Sequence, residues 1–180
     1  GTFGASDAAY SLAYGLGLST RASLGASVKL VDQTLDGVRA TSLAVDAGGL
    51  ARSGRLSLGG GVRNLGAAPR FRETADPLPW LVYGGVAWAV RPGWLAAADL
   101  RLPRDRGPSV ALGTERSRDF AGGLRASVRA GFNSANVDAG GLAGASLGVG
   151  VALRSLRFDF AWVPFGTLGD TFRYSLLVRF

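Results

Sequence analysis

Phe172-Arg-Tyr-Ser-Leu-Leu-Val-Arg-Phe180 sets Phe172, Tyr174, Leu176, Val178 and Phe180 on one side of an extended chain and Arg173, Ser175, Leu177 and Arg179 on the other. Successive side chains of a strand point to opposite faces, so this period of two describes a strand with one greasy and one largely polar face. The segment before it repeats the pattern, with Leu156, Phe158, Phe160 and Trp162 set against Arg157, Asp159, Ala161 and Val163. Upstream, Leu142–Leu153 places Ala143, Ala145, Leu147, Val149, Val151 and Leu153 opposite Gly144, Ser146, Gly148, Gly150 and Ala152. Leu124, Ala126, Val128, Ala130 and Phe132 then alternate with Arg125, Ser127, Arg129 and Gly131. Further strands read at about 8–18, 22–33, 38–51, 55–65, 79–90, 94–102 and, most weakly, 108–115, giving roughly eleven in all.

The chain is 47% hydrophobic with a mean hydropathy of +0.20, yet no apolar run reaches the roughly 18 residues of a spanning helix. In hydrocarbon only helices and closed barrels satisfy every backbone group, so a membrane reading without helices is a barrel reading. The strands have the length of tilted transmembrane strands, about 9–11 residues. A non-apolar face built from Gly, Ala and Ser with isolated charges suits a narrow lumen better than a solvated surface. Tight connections near Ser19–Arg21, Ser53–Arg55, Arg91–Gly93 and Arg154–Ser155 alternate with mostly longer ones at Leu35–Gly37, Gly66–Leu78, Pro103–Gly107, Asn133–Gly140 and Pro164–Asp170. By the convention of short periplasmic turns and longer external loops, the C-terminus belongs on the periplasmic side. Trp80, Trp88, Trp94, Trp162, Tyr10, Tyr83 and Tyr174 fall mostly toward strand ends, where interfacial girdles form. The predicted class is all-β, an antiparallel up-and-down transmembrane β-barrel, with residues 1–180 forming a single domain. Because bacterial barrels close with an even count, either further strands are expected before Gly1 or, if the weak strand near Ser109–Glu115 makes the count differ by one, the chain closes by itself with ten or twelve. The opening Gly1–Asp7 has no basic, then apolar, signal-peptide pattern.

With no His and no Cys, the usual Ser-His, Cys-His and zinc chemistries fail on inventory, so neither enzymatic activity nor a metal or cofactor is expected. Glu73 and Asp76 are a conceivable carboxylate pair but read as solvated acids in a long loop. Gly59–Gly61 and the glycines at 144, 148 and 150 lack phosphate-loop spacing. The net charge of +7 and pI near 10.9 would suggest nucleic acid, but the basic residues are spread almost singly, so no nucleic-acid partner is expected. Lipid-facing charge at the bilayer midplane costs about 2–4 kcal/mol, so Lys29, Asp46, Arg63, Asp99, Arg101, Arg125, Arg129, Arg157, Asp159, Arg173 and Arg179 are assigned to the lumen. There they either form a ladder of Arg–Asp pairs or attract anionic ligands.

From Leu156 onward the text reads LRFDFAWVPFGTLGDTFRYSLLVRF, with Ala161-Trp-Val-Pro-Phe-Gly166 followed by Leu168-Gly169 as its most specific part. It resembles the C-terminal signature of the PorV/PorQ family of outer-membrane proteins. Gly4–Asp7, Leu58–Gly66, Asp76–Pro79, Asp99–Pro103 and Leu112–Glu115 resemble family segments in the same order, so the resemblance spans essentially the whole chain. It implies a barrel akin to the FadL-type transporters, with additional N-terminal strands, and a role in type IX secretion as a shuttle for cargo bearing a C-terminal signal domain. The implied surroundings are outer-membrane lipid, and the implied partners are secreted cargo domains or other secretion-system proteins; FadL-like passage of hydrophobic small molecules and a structural role are the alternatives. Tyr174, Leu176, Val178 and Phe180 resemble the C-terminal signal read by the outer-membrane assembly machinery. Trp162, Pro164, Phe165 and Leu168 form a candidate docking rim, Pro164 ending the strand for want of a backbone donor.

Overall fold

The computed structural model describes residues 4–35, 37–68, 70–71, 74–75 and 77–179. The strands, in chain order, are β1 (Ala5–Ser19), β2 (Ala22–Leu35), β3 (Val38–Ser53), β4 (Leu56–Gly66), β5 (Arg70–Phe71), β6 (Thr74–Ala75) and β7 (Leu81–Arg91). They continue with β8 (Trp94–Pro103), β9 (Ser109–Asp119), β10 (Leu124–Asn133), β11 (Ala145–Leu153), β12 (Leu156–Pro164) and β13 (Asp170–Val178). Eleven of them form one antiparallel up-and-down sheet in chain order, β5 and β6 pairing separately as a small hairpin. All eleven predicted strands are present. The 108–115 segment, weakest in sequence, is a full strand running to Asp119.

Two differences from expectation have local causes. The strand predicted from Leu142 begins only at Ala145, because Gly144 sits at φ 96, in the region L side chains avoid. Backbone bonds from Ala143 to Gly140 and from Ala145 to Leu142 make turns there instead. The loop expected between Gly66 and Leu78 contains the β5–β6 hairpin, and β5 packs against β3.

The tight turns follow their residues. Arg91-Pro92-Gly93-Trp94 has Pro and then Gly at φ 70, the signature of a type II reversal, and Gly54 supplies φ 56 between β3 and β4. Between β11 and β12 the left-handed position falls on Arg154 at φ 52.

The chain divides into two compact units. The first comprises Gly1–Ser53, Leu58–Gly84 and Arg101–Gly107; the second comprises Gly54–Ser57, Gly85–Leu100 and Pro108–Phe180. In the first unit, register alone separates two faces, since directly opposed residues of antiparallel strands share a side. Tyr10, Leu30 and Leu43 line up across β1, β2 and β3, as do Leu12, Val28 and Val45; all six are exposed. The other face carries Ser11, Lys29 and Ala44 in one row and Ala13, Ser27 and Asp46 in the next. On β3 this small-residue face is the buried one, with Ala40, Ser42 and Ala44 all below a tenth exposed.

The second unit repeats the arrangement. Val128, Val149, Phe160 and Tyr174 form one row across β10 to β13, and Ala126, Val151, Phe158 and Leu176 form another. Phe160 lies 6.1 Å from Phe172 and 5.3 Å from Tyr174 between ring centroids, so the rings cover each other across strands. The opposite face carries Ser127, Gly150, Asp159 and Ser175, then Arg129, Gly148, Ala161 and Arg173. Among the described residues forty large hydrophobic side chains are exposed, whereas the buried hydrophobic ones, Pro164 apart, are three alanines, Ala40, Ala44 and Ala143. A water-soluble domain arranges these sizes the other way round.

Candidate functional site

The small-residue face of the second unit holds a charge network. Antiparallel register puts Glu115 of β9 directly opposite Arg129 of β10, and Asp159 of β12 across from Gly150. Arg129 donates from Nε to Glu115 Oε2 at 2.6 Å, from Nη1 to Asp159 Oδ1 at 2.6 Å, and from Nη2 to Ser127 Oγ at 3.0 Å. Arg157 donates from Nε to the second oxygen of Asp159 at 2.7 Å. One guanidinium thus spans two carboxylates, and one carboxylate gathers two guanidiniums, a planar geometry lysine cannot reproduce. The space for it comes from Gly150: a Cβ there would run into Asp159 Oδ1, Ser127 Oγ and Arg129 Nη1.

The first unit has a smaller counterpart. Lys29 Nζ lies 2.7 Å from Asp46 Oδ1 and also donates to Asn64 Oδ1, while the Asn64 backbone N–H donates to Asp46 at 2.8 Å. Asn64 stands at φ 56, which turns its amide and side chain together toward this pair. Arg63 lies over the Tyr83 ring at 4.9 Å from the centroid. Toward the far end of the β2–β3 hairpin, Arg39 pairs with Asp32 through both carboxylate oxygens.

Of the sequence-assigned charges, Lys29 with Asp46 and Arg129, Arg157 with Asp159 are brought together. Arg125 donates to Ser117 Oγ at 2.9 Å and lies 3.6 Å from Asp119. Asp99 occupies the space a Cβ at Gly85 would need. Among the described residues Arg63, Asp99, Arg101, Arg173 and Arg179 make no ion pair, although Arg173 shares the face of Asp159. Glu115, Asn64, Asp32 and Arg39 are additions to the sequence list. Glu115 was hidden because its strand alternates too weakly to assign a face, and Asn64 because its reach depends on a left-handed backbone.

The predicted rim is ordered by its own backbone. Pro164 ends β12 and is buried; a 3-10 turn over Gly166–Leu168 follows, with Phe165 N–H donating to Gly169 O at 2.8 Å and Leu168 N–H to Phe165 O at 3.1 Å. Trp162 and Phe165 are half-buried, whereas Leu168 is 82% exposed. Tyr174, Leu176 and Val178 are exposed on the apolar face; Phe180, like Glu73 and Asp76, lies outside the described residues.

The described residues contain no cluster of three or more acidic side chains able to hold a metal ion, and no helix among them is long and apolar enough to cross a membrane. Comparison with protein families, curated proteins and solved structures finds no match to this chain. What its own geometry shows is, in each unit, one face of exposed apolar side chains and a reverse face of small residues and paired charge.

Proposed function

We propose that the chain is the membrane-embedded part of a bacterial outer-membrane β-barrel, with its apolar face toward lipid and its paired charges toward a narrow lumen. The observation that carries this reading is the inverted distribution of side chains. Leu, Val, Phe and Tyr stand exposed in cross-strand rows, and Gly, Ala, Ser and ion pairs occupy the reverse side. A sheet whose greasy face met water would expose far more contiguous apolar surface than soluble monomers carry. Lipid removes that penalty, and closure of the sheet, by this chain with others or with further strands, removes its open edges.

The same reading makes the protein a binding and shuttling component in a type IX-like secretion pathway, with no catalytic role. It rests on the resemblance of the Ala161–Gly169 segment and on the exposed Leu168 at the tip of that hairpin. Two measurements test it in sequence. The protein purified from outer membranes in mild detergent is expected to give a β-type circular-dichroism spectrum and to migrate faster unheated than boiled; absence of both overturns the barrel. Cross-linking in those membranes is then expected to capture a secreted protein with a C-terminal signal domain, and Leu168→Ala to reduce that capture while leaving heat-dependent migration unchanged. Full capture by the variant overturns docking at this rim.

A further inference from the structure

We propose that the cavity at the tight-turn end of the second unit is a binding site for a phosphate-bearing anion. The cavity measures about 430 Å³ and is lined by Arg55, Arg91 and Arg125, with Ser117 beside them and Trp94 and Leu95 in its wall. The three arginines come from three places in sequence: the turn just before β4, the end of β7 and the start of β10. Antiparallel pairing brings these strand ends to one side.

The electrostatics single out an anion. Around the tight turns of this unit stand Arg55, Arg91, Arg116, Arg118, Arg125, Arg154, Arg157 and Arg179, eight arginines against the three acids Glu115, Asp119 and Asp159, the last of which Arg129 and Arg157 already engage. The carboxylate that reaches the cavity, Glu115, is already engaged by Arg129 at 2.6 Å. A guanidinium has five N–H donors. Arg55 uses Nη1 on the Val90 carbonyl at 3.3 Å, Arg125 uses Nη2 on Ser117 Oγ at 2.9 Å, and Arg91 lies over the Trp94 ring at 5.0 Å. Each keeps further donors for a ligand, and the contacts it does make hold its plane in place.

Three guanidiniums around one cavity exceed what a single carboxylate can neutralise or satisfy. A phosphate group, with up to two charges and three or more acceptor oxygens, matches them. The apolar wall of Trp94 and Leu95 leaves room for the organic part of a phosphate ester, so a lipid headgroup and a soluble phosphate are both sources of this chemistry.

Calorimetric titration of the full chain in zwitterionic detergent with inorganic pyrophosphate is expected to show saturable binding to one site. The triple variant Arg55→Gln, Arg91→Gln, Arg125→Gln should weaken it by about tenfold or more. Arg116→Gln, Arg118→Gln, Arg154→Gln removes the same charge from the same end outside the cavity and should change it by no more than about twofold. Equal weakening by the two triples, no effect of the first, or no saturable binding overturns the proposal. Should the first triple lose its heat-dependent migration, the single variants Arg91→Gln and Arg125→Gln carry the test, each expected to weaken binding by about threefold. Competition by micellar phosphatidylglycerol supports a lipid source, and binding without such competition supports a soluble phosphate. The titration needs no bilayer, so failure of the membrane reading and failure of this site are separately visible.

Discussion

At the scale of single residues, what a glycine leaves room for decides the cost of filling it. Gly150 faces the ends of three side chains, Asp159, Ser127 and Arg129, whereas a Cβ at Gly61 would strike the Ala47 carbonyl and the Gly48 Cα on the neighbouring strand. Side-chain ends move and backbone does not, so Gly61→Ala is expected to cost about 2–3 kcal/mol and Gly150→Ala about 1 kcal/mol, read as shifts in urea midpoint in detergent. The Gly150 effect should act through the ion pairs: in the Asp159→Asn background it is expected to shrink by half or more, and full additivity would show that the network is not what Gly150 accommodates. The sequence made Arg129, Arg157 and Asp159 legible as charges of one face, because alternation fixes parity. It did not disclose that Arg129 serves two acids, since that depends on which strands are neighbours and at what register.

Among the elements, the β12–β13 hairpin shows how far a short motif can be read. Pro164 and the two glycines predicted a strand end and a tight reversal, and the chain makes both, with Gly166 at φ 58 and Gly169 at φ 91. The division of labour between Phe165 and Leu168 was not legible, because it depends on how deep each ring or branch sits. Phe165 is half-buried and Leu168 almost fully exposed. Phe165→Ala is therefore expected to lower stability by about 1–2 kcal/mol, and Leu168→Ala to leave it within about 0.5 kcal/mol. A Leu168→Ala variant that unfolds early would show that this tip packs against something, and its exposure would then not mark a docking point. The strand boundaries fared best in β8, β10 and β12, each placed to within one residue. They moved at the start of β1, which begins at Ala5, at the end of β9, which runs on to Asp119, and at Leu142–Gly144, where periodicity continued through a glycine whose backbone leaves the strand.

In the whole molecule, the charge that looks scattered along the sequence is sorted by topology. Reading residue by residue, arginines appear almost singly, which argues against a basic face. Up-and-down pairing collects many of them next to tight turns, Arg21 and Arg52 in the first unit and, in the second, Arg55, Arg91, Arg116, Arg118, Arg125, Arg154, Arg157 and Arg179. No periodicity count predicts this, because it arises from strand direction. Under the proposed orientation the arginine-rich ends face the periplasm and the longer connections face outward, which single cysteines can test cleanly in a chain that has none. Ser53 and Leu168 are both exposed, one at a tight turn and the other on a longer connection, so their labelling reports sidedness and not burial. On intact cells Leu168→Cys is expected to react with a membrane-impermeant maleimide and Ser53→Cys to react only after the outer membrane is opened. The reverse pattern would invert the orientation and put the arginine ends at the cell surface. Equal labelling of both on intact cells would remove the membrane-spanning reading altogether.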